Sequence, residues 1–473
     1  MKKLLTILTL LLTVNGHSAS WFVTPSGAGG NTGVDWSDAW AGGSIPWGSV
    51  SVGDVVYLAG GSYSSRFHIQ ASGTAVSPIT IRRVVSTDSA ATSAAGWSSA
   101  FDSTVNFTVS NSFGADFDAG SGVSYVTLDG RMDGGIKFLC ADGQTAICLS
   151  NKVSFCTLTN LEIVGPGTPN TNGYPFNNDT PGIYFYPATG GNPTFNSNVF
   201  THCRIHGVVD AILMQDANGT LVVHCLIYDI WAKSNGVSQQ HDNVCECLNT
   251  TNCTFRYCQV WNWATEGIMF SPLIGLLSSN WWIYNNVWHD PSGGPGSQTG
   301  RVIESQYVAN GPVHFFNNTI ANGWIVSNTG NGGSWAGGGV CQASNNIVWN
   351  CNPATTVNLP VEDYTLSSAS AAGAHSISYA AYPFSHTQGG WPNVSTNDLH
   401  ILGTTGSLFP AGNGFNLGAP FNMDIDGNTQ TPPWSIGAYV SPGAPAPMIN
   451  SVSITINGQQ QIITQGNIVI TIH

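Results

Sequence analysis

The apolar positions of this chain follow no helical period. They fall in short runs, each closed by a turn residue, and the runs repeat one phrase: an apolar strand, a Cys or Asn, then a second apolar strand. The phrase is clearest in Val153-Ser-Phe-Cys-Thr-Leu-Thr-Asn-Leu-Glu-Ile163, Asn198-Val-Phe-Thr-His-Cys-Arg-Ile205, Leu221-Val-Val-His-Cys-Leu-Ile227 and Cys253-Thr-Phe-Arg-Tyr-Cys-Gln-Val260. It continues in Trp281-Trp-Ile-Tyr-Asn-Asn-Val287, Pro312-Val-His-Phe-Phe-Asn-Asn-Thr-Ile320 and Ala343-Ser-Asn-Asn-Ile-Val348. A second set of runs interleaves with it, each opening on a polar residue: Asp210-Ala-Ile-Leu-Met-Gln215, Asp242-Asn-Val-Cys-Glu-Cys247, Glu266-Gly-Ile-Met-Phe-Ser271 and Arg301-Val-Ile-Glu-Ser-Gln306.

Short strands repeating every 20–30 residues or so, with no helix between them, predict an all-β solenoid, the parallel β-helix. Stacked coils turn equivalent positions into columns, one strand spacing apart. Cys203, Cys225 and Cys258 form one such column, and Asn285, Asn318 and Asn346 are expected to continue it as small side chains inside a turn. The spacing of Cys245 and Cys247 is not that of a zinc site. Disulfides such as Cys140–Cys148 or Cys341–Cys351 stay open.

The ends read differently. Residues 1–20 have the basic start (Lys2, Lys3), apolar run and small-residue exit of an export signal. The β-helix is expected over 21–440, with an entry segment at 21–103, regular coils at 104–352 and a closing segment at 353–440. A Pro-rich linker and an alternating β tail follow at 441–473. No later run is long enough to span a bilayer. The chain is therefore expected outside the cell, secreted or surface-attached, as a monomer.

Charge narrows the function. The chain carries 12 Lys and Arg against 25 Asp and Glu, a net charge of −13. Nucleic acid, which needs a basic stripe, is excluded. With only 8% charged residues, Asp210, Asp242, Glu266 and Arg301 at equivalent strand openings stand out as one column. Length variation gathers beside it: extra residues follow Ile163, Ile227, Val287 and Ile320 (165–179, 231–240, 290–300 and 323–339). Loops on one edge build a wall, and a wall beside a flat sheet makes a groove.

The column supports two chemistries. Two carboxyl groups about 5 Å apart suit a retaining glycosidase, and a wider pair an inverting one; Asp242 with Glu266, or Asp210 with Glu266, are the candidates. His241, beside Asp242, is placed to tune or shuttle a proton. Alternatively, stacked acids are relieved by a Ca²⁺ ion. Trp231, Trp263, Trp288 and Trp324 fall where strand meets loop and are the candidate sugar-stacking rings. In the plainest reading the acids only occupy strand-entry turns.

The opening Gly-Asp54-Val-Val-Tyr-Leu-Ala-Gly-Gly-Ser-Tyr63, the Asn-Asn-x-Ile phrases and the closing Asp424-Ile-Asp-Gly together resemble the exported bacterial right-handed parallel β-helix proteins, the pectate-lyase-like superfamily. The resemblance implies a polysaccharide-active enzyme, either a lyase or a glycoside hydrolase. By the likeness to pectate lyases, Asp210, Asp242 and Glu266 would hold Ca²⁺, and Arg301, aided by Lys233, would act as base or charge neutraliser. The superfamily also holds non-catalytic members, so a carbohydrate-binding surface adhesin or structural β-helix is the alternative.

Overall fold

The computed structural model describes residues 18–109, 113–117, 122–166, 180–186, 195–231, 242–271, 277–291, 300–306, 309–322, 325–330, 334–335 and 341–351. Beyond these it describes shorter segments up to residue 463, the longest being 414–430 and 434–439. Among the described residues the chain is a parallel β-helix. Three long sheets of thirteen, twelve and nine strands run its length, and every strand pair within them is parallel. Each coil passes from the twelve-stranded to the nine-stranded to the thirteen-stranded sheet and back. The nine-stranded sheet is called the site sheet below. Its strands, in chain order, are β1 (Phe67–Ile69), β2 (Phe113–Phe117), β3 (Thr145–Ser150), β4 (Pro181–Tyr186), β5 (Asp210–Gln215), β6 (Asn243–Leu248), β7 (Glu266–Ser271), β8 (Arg301–Gln306) and β9 (Ile325–Gly330).

The repeated Cys/Asn phrase folds as it does because its corner is only two residues long. The first residue takes a left-handed backbone: His202, His224, Tyr257, Asn285, Asn317 and Asn345 all have φ between 52° and 59°. Asn tolerates this region better than most L-residues, and it dominates the later coils. The second residue points inward and stacks. The inner column is Cys203, Cys225, Cys258, Asn286, Asn318 and Asn346, each buried. Asn286, not the expected Asn285, is therefore the inner member. The first Asn of the Asn-Asn phrase takes the turn, and the second fills the interior.

The inner asparagines close the ladder with hydrogen bonds. Cys258 N donates to Asn286 Oδ1 (2.9 Å), Asn286 N to Asn318 Oδ1 (3.1 Å) and Asn318 N to Asn346 Oδ1 (2.9 Å). Each amide group in turn donates to a carbonyl of the coil before, Phe255, Ile283 or Phe315. The side-chain amides of the inner Asn286, Asn318 and Asn346 thus find partners. Cys203, Cys225, Cys258, Cys245 and Cys247 are free buried thiols, and so is Cys140, which excludes the Cys140–Cys148 bond.

Three of the four expected insertions fall between the twelve-stranded and the site sheet, at the entry to β4, β6 and β8; their middle residues lie outside those described. The fourth is corrected. The stretch after Ile320 carries β9, paired in register with β8, because the chain there returns directly to the site sheet. The sheets also run beyond residue 352: Val361–Asp363, Leu366–Ser367 and Ile377–Ser378 each add a strand. The closing segment then doubles back along the two-residue corner. Asn345 and Asn317 donate side-chain hydrogen bonds to the Phe415 and Phe421 carbonyls (2.7 and 3.1 Å), and Asn285 donates to that of Met423. Val452–Ile456 and Gln459–Ile463 form an antiparallel hairpin. No helix among the described residues is long and apolar enough to cross a membrane.

Candidate functional site

Side chains on the site sheet do not simply alternate. In β5, β6 and β8 the second and third residues both enter the core: Ala211 with Ile212, Val244 with Cys245, Val302 with Ile303. The first, fourth and sixth positions are left on the outer face. Residues 1 and 4 of one strand therefore meet on the same side, which simple alternation forbids.

Register sets who meets whom. Glu266 lies opposite Asn243 on one side and Arg301 on the other. The first-position column is thus Asp210, Asn243, Glu266, Arg301. Asp242 is one residue off the expected place, level with Thr265. Asp210 is fully buried, and its Oδ1 accepts from Asn243 N (3.1 Å) and Nδ2 (3.3 Å). Through these contacts Asp210 holds the entry of β6 in place.

Asp242, Thr265, Glu266, Arg301 and Glu304 do come together. The Thr265 hydroxyl contacts both Asp242 Oδ1 and Glu266 Oε2. A hydroxyl carries one proton, so both contacts are hydrogen bonds only when one of the two carboxyl groups is protonated. Arg301 Nη1 donates to Glu266 Oε1 (3.1 Å) and also to Glu304. Gln306 Nε2 donates to Glu304 Oε1 (2.8 Å). These three are tucked in: the Glu266 side chain is 12% exposed, Arg301 15% and Glu304 1%.

Burial pushes the Glu266 carboxyl up to about 8, and the neighbouring charges of Asp242 and Glu304 add to it; the Thr265 hydroxyl and Arg301 pull the other way without winning. A carboxylic acid that keeps its proton at neutral pH, beside a carboxylate, is the division of labour that acid–base catalysis requires.

The tryptophans serve this site from beneath rather than from the groove. Trp263 and Trp288 are completely buried, and Trp231 is 3% exposed against Val209. Their faces are not available to a sugar, which corrects the expectation for all three. Trp263 Nε1 donates to the Arg301 carbonyl (3.0 Å). Trp288 lies under Gly267, where a Cβ would meet Val302 O at 2.4 Å and Trp288 Cζ3 at 2.9 Å. A side chain at 267 would have to displace the strand that aims Glu266. The expected site residues Lys233, His241 and Trp324 lie outside the described residues.

Thr265 carried no signal in the sequence. Glu304 was legible only as a charge further along the Arg301 strand. Among the described residues no group of three or more His, Cys, Asp or Glu side chains is placed to hold a metal ion.

No protein-family model matches the chain, and no curated protein matches it in sequence. Solved structures do match in shape. An alginate lyase from Paenibacillus sp. str. FPU-7 aligns with 67% of this chain and 94% of its own, at 14% identity and a TM-score of 0.41. The pectate lyase Pel9A aligns with 90% of this chain and 97% of its own, at 13% identity and a TM-score of 0.42. A rhamnogalacturonan lyase aligns with 76% and 87%, at 13% identity and a TM-score of 0.40. At such identities and scores the likeness carries no argument about chemistry.

Proposed function

We propose that this chain is an exported enzyme that hydrolyses glycosidic bonds, with Glu266 as general acid and Asp242 as its carboxylate partner. One observation carries the reading: a single hydroxyl, Thr265 Oγ1, touches both carboxyl groups, one of which holds its proton at neutral pH. Two hydrogen bonds through one oxygen separate the nearest carboxyl oxygens by no more than about 5.5 Å. So close a pair favours the retaining geometry over the wider, water-admitting pair of an inverting enzyme.

In this mechanism the Asp242 carboxylate attacks the anomeric carbon while Glu266 gives its proton to the departing glycosidic oxygen. The C–O bond breaks and a glycosyl ester forms on Asp242. Glu266, now a carboxylate, takes a proton from water. The water oxygen bonds to the anomeric carbon and Asp242 leaves as carboxylate. Arg301 holds Glu266 by its second oxygen, so that Oε2 stays directed at Thr265 and Asp242.

Calcium-assisted elimination is the second reading. It is less well supported by the donor set. Asp210 is taken up by Asn243, and the charge between Glu266 and Glu304 is already met by Arg301. A non-catalytic adhesin would leave its acids spread and solvated, whereas these are clustered and buried.

The test is digestion of a panel of plant and algal polysaccharides with and without EDTA. It is read by reducing ends, by ultraviolet absorbance of unsaturated uronate ends and by NMR of the first anomer formed. Reducing ends that EDTA leaves intact, with retained configuration, are expected. Absorbance that EDTA abolishes makes the protein a calcium lyase, and an inverted anomer removes the nucleophile role of Asp242.

A further inference from the structure

The outer face of the site sheet carries a pair of rings that the acid cluster does not use. Tyr184 and Tyr186 occupy the fourth and sixth positions of β4, edge to face with centroids 5.6 Å apart. Phe117, Phe185 and Phe270 on these strands are fully buried and Phe113 is half-buried, while Tyr186 is 44% exposed. Burial, then the nearby Tyr186, Cys148 and Glu246, raises the Tyr184 hydroxyl above its ordinary value, so it stays neutral.

The pair shares the outer face with the acids, three and five positions further along the strands than Glu266. From Tyr184 the fourth positions run through Leu213, Glu246 and Met269 to Glu304. The sixth positions include Gln215, Leu248 and Ser271. Three coil steps separate β4 from β7, about 14 Å at one strand spacing per step. Apolar and polar side chains mix along this path.

A sugar ring matches such a path, with a C–H face for an aromatic ring and hydroxyl edges for amides and acids. A peptide adding as a strand needs an open sheet edge, and this is the flat face of the sheet rather than its edge. A polyanionic nucleic acid is opposed by the net charge of −13.

We propose that Tyr184 and Tyr186 form an aromatic subsite that stacks on a sugar of the same chain that is cleaved at Glu266. This rests on the reading of the acid cluster as a glycan-cleaving centre. Oligosaccharides too short to span the three coils gain nothing from the tyrosines.

The experiment separates binding from cleavage by working in the Glu266→Gln protein. Mobility is measured in native gels containing polygalacturonate, alginate, arabinoxylan or galactomannan. At least one polymer should retard the protein. Tyr186→Ala should weaken that retardation three- to ten-fold, roughly one aromatic contact, and Tyr186→Phe should keep it within about two-fold. Unchanged retardation of Tyr186→Ala, or no retardation in any gel, overturns the subsite. So does an equal loss in Tyr186→Phe, which would assign the effect to the hydroxyl. Tyrosine-dependent retardation by a protein that cleaves none of the polymers keeps the subsite and removes the catalytic reading. In an active enzyme, Tyr186→Ala should lower kcat/KM on polymer and leave a disaccharide glycoside unaffected; equal losses on both also overturn it.

Discussion

Replacing Glu266 by Gln should make the protein more stable at alkaline pH, although it removes a charged partner of Arg301. The folded state holds the Glu266 proton up to about 8, against an ordinary value of 4.5. Between those values the folded chain binds a proton that the unfolded chain has released. The Glu266 contribution is therefore fully present below 4.5 and is lost as pH rises to 8. A tenfold change in proton affinity is worth about 1.4 kcal/mol, so the whole displacement is worth on the order of 4 to 5 kcal/mol. Gln is isosteric with the protonated acid and does not titrate. Parent and Glu266→Gln should thus melt together at and below pH 4.5 and diverge progressively from there to pH 8. An unfolding entropy of about 2 cal/mol/K per residue makes each kcal/mol worth about 1 °C in a chain of this size, so the gap at pH 8.5 should be roughly 5 °C in favour of Gln. The assay is Tm by circular dichroism across pH 4.5–9. Parallel curves would refute the reasoning, since they would mean that Glu266 ionises as an ordinary carboxyl.

Three further outcomes follow from the same geometry. Glu304→Gln removes a like charge and frees Arg301 for Glu266, so the alkaline limb of the kcat/KM profile should move to lower pH; an unmoved limb would show that Glu304 does not act on Glu266. Gly267→Ala must displace Val302 or Trp288, and activity should fall at least tenfold, about 1.4 kcal/mol or more in transition-state stabilisation, with the melting temperature as the accompanying control. Asn318→Ala leaves the Asn286 N–H and the Ile283 carbonyl without their ladder partner; at about 1–3 kcal/mol for each orphaned buried group the loss in chemical denaturation should be on the order of 3 kcal/mol, and a loss below about 1 kcal/mol would show that the ladder relaxes around the gap.

Much of the architecture was legible because a solenoid writes each column into the sequence at nearly regular intervals. The Cys/Asn phrase marked the corner, and Glu266 and Arg301 were neighbours as expected. What failed was finer than the repeat. Asp242 and Asn243 are adjacent and both polar, and a slip of one residue moves a side chain to another face. The same slip exchanged Asn285 for Asn286. Glu304 joined the site because two successive residues, Val302 and Ile303, enter the core and break the alternation that pattern reading assumes. Trp263 does close its strand, but a strand end has an inside and an outside, and Trp263, like Trp288 in the middle of its strand, took the inside. Tyr184 and Tyr186 belong to a run that opens on Pro181 rather than on a charged residue, so the column did not include them.

The most direct test of the account is reducing-end release from the polysaccharide panel by the parent, Glu266→Gln and Asp242→Asn, with their melting temperatures recorded alongside. The account predicts release by the parent and a loss of at least a hundredfold in both variants, which corresponds to about 3 kcal/mol or more in the barrier, while all three remain folded. Release that survives both substitutions in folded protein would contradict it, and would place the chemistry away from the Asp242–Thr265–Glu266 cluster.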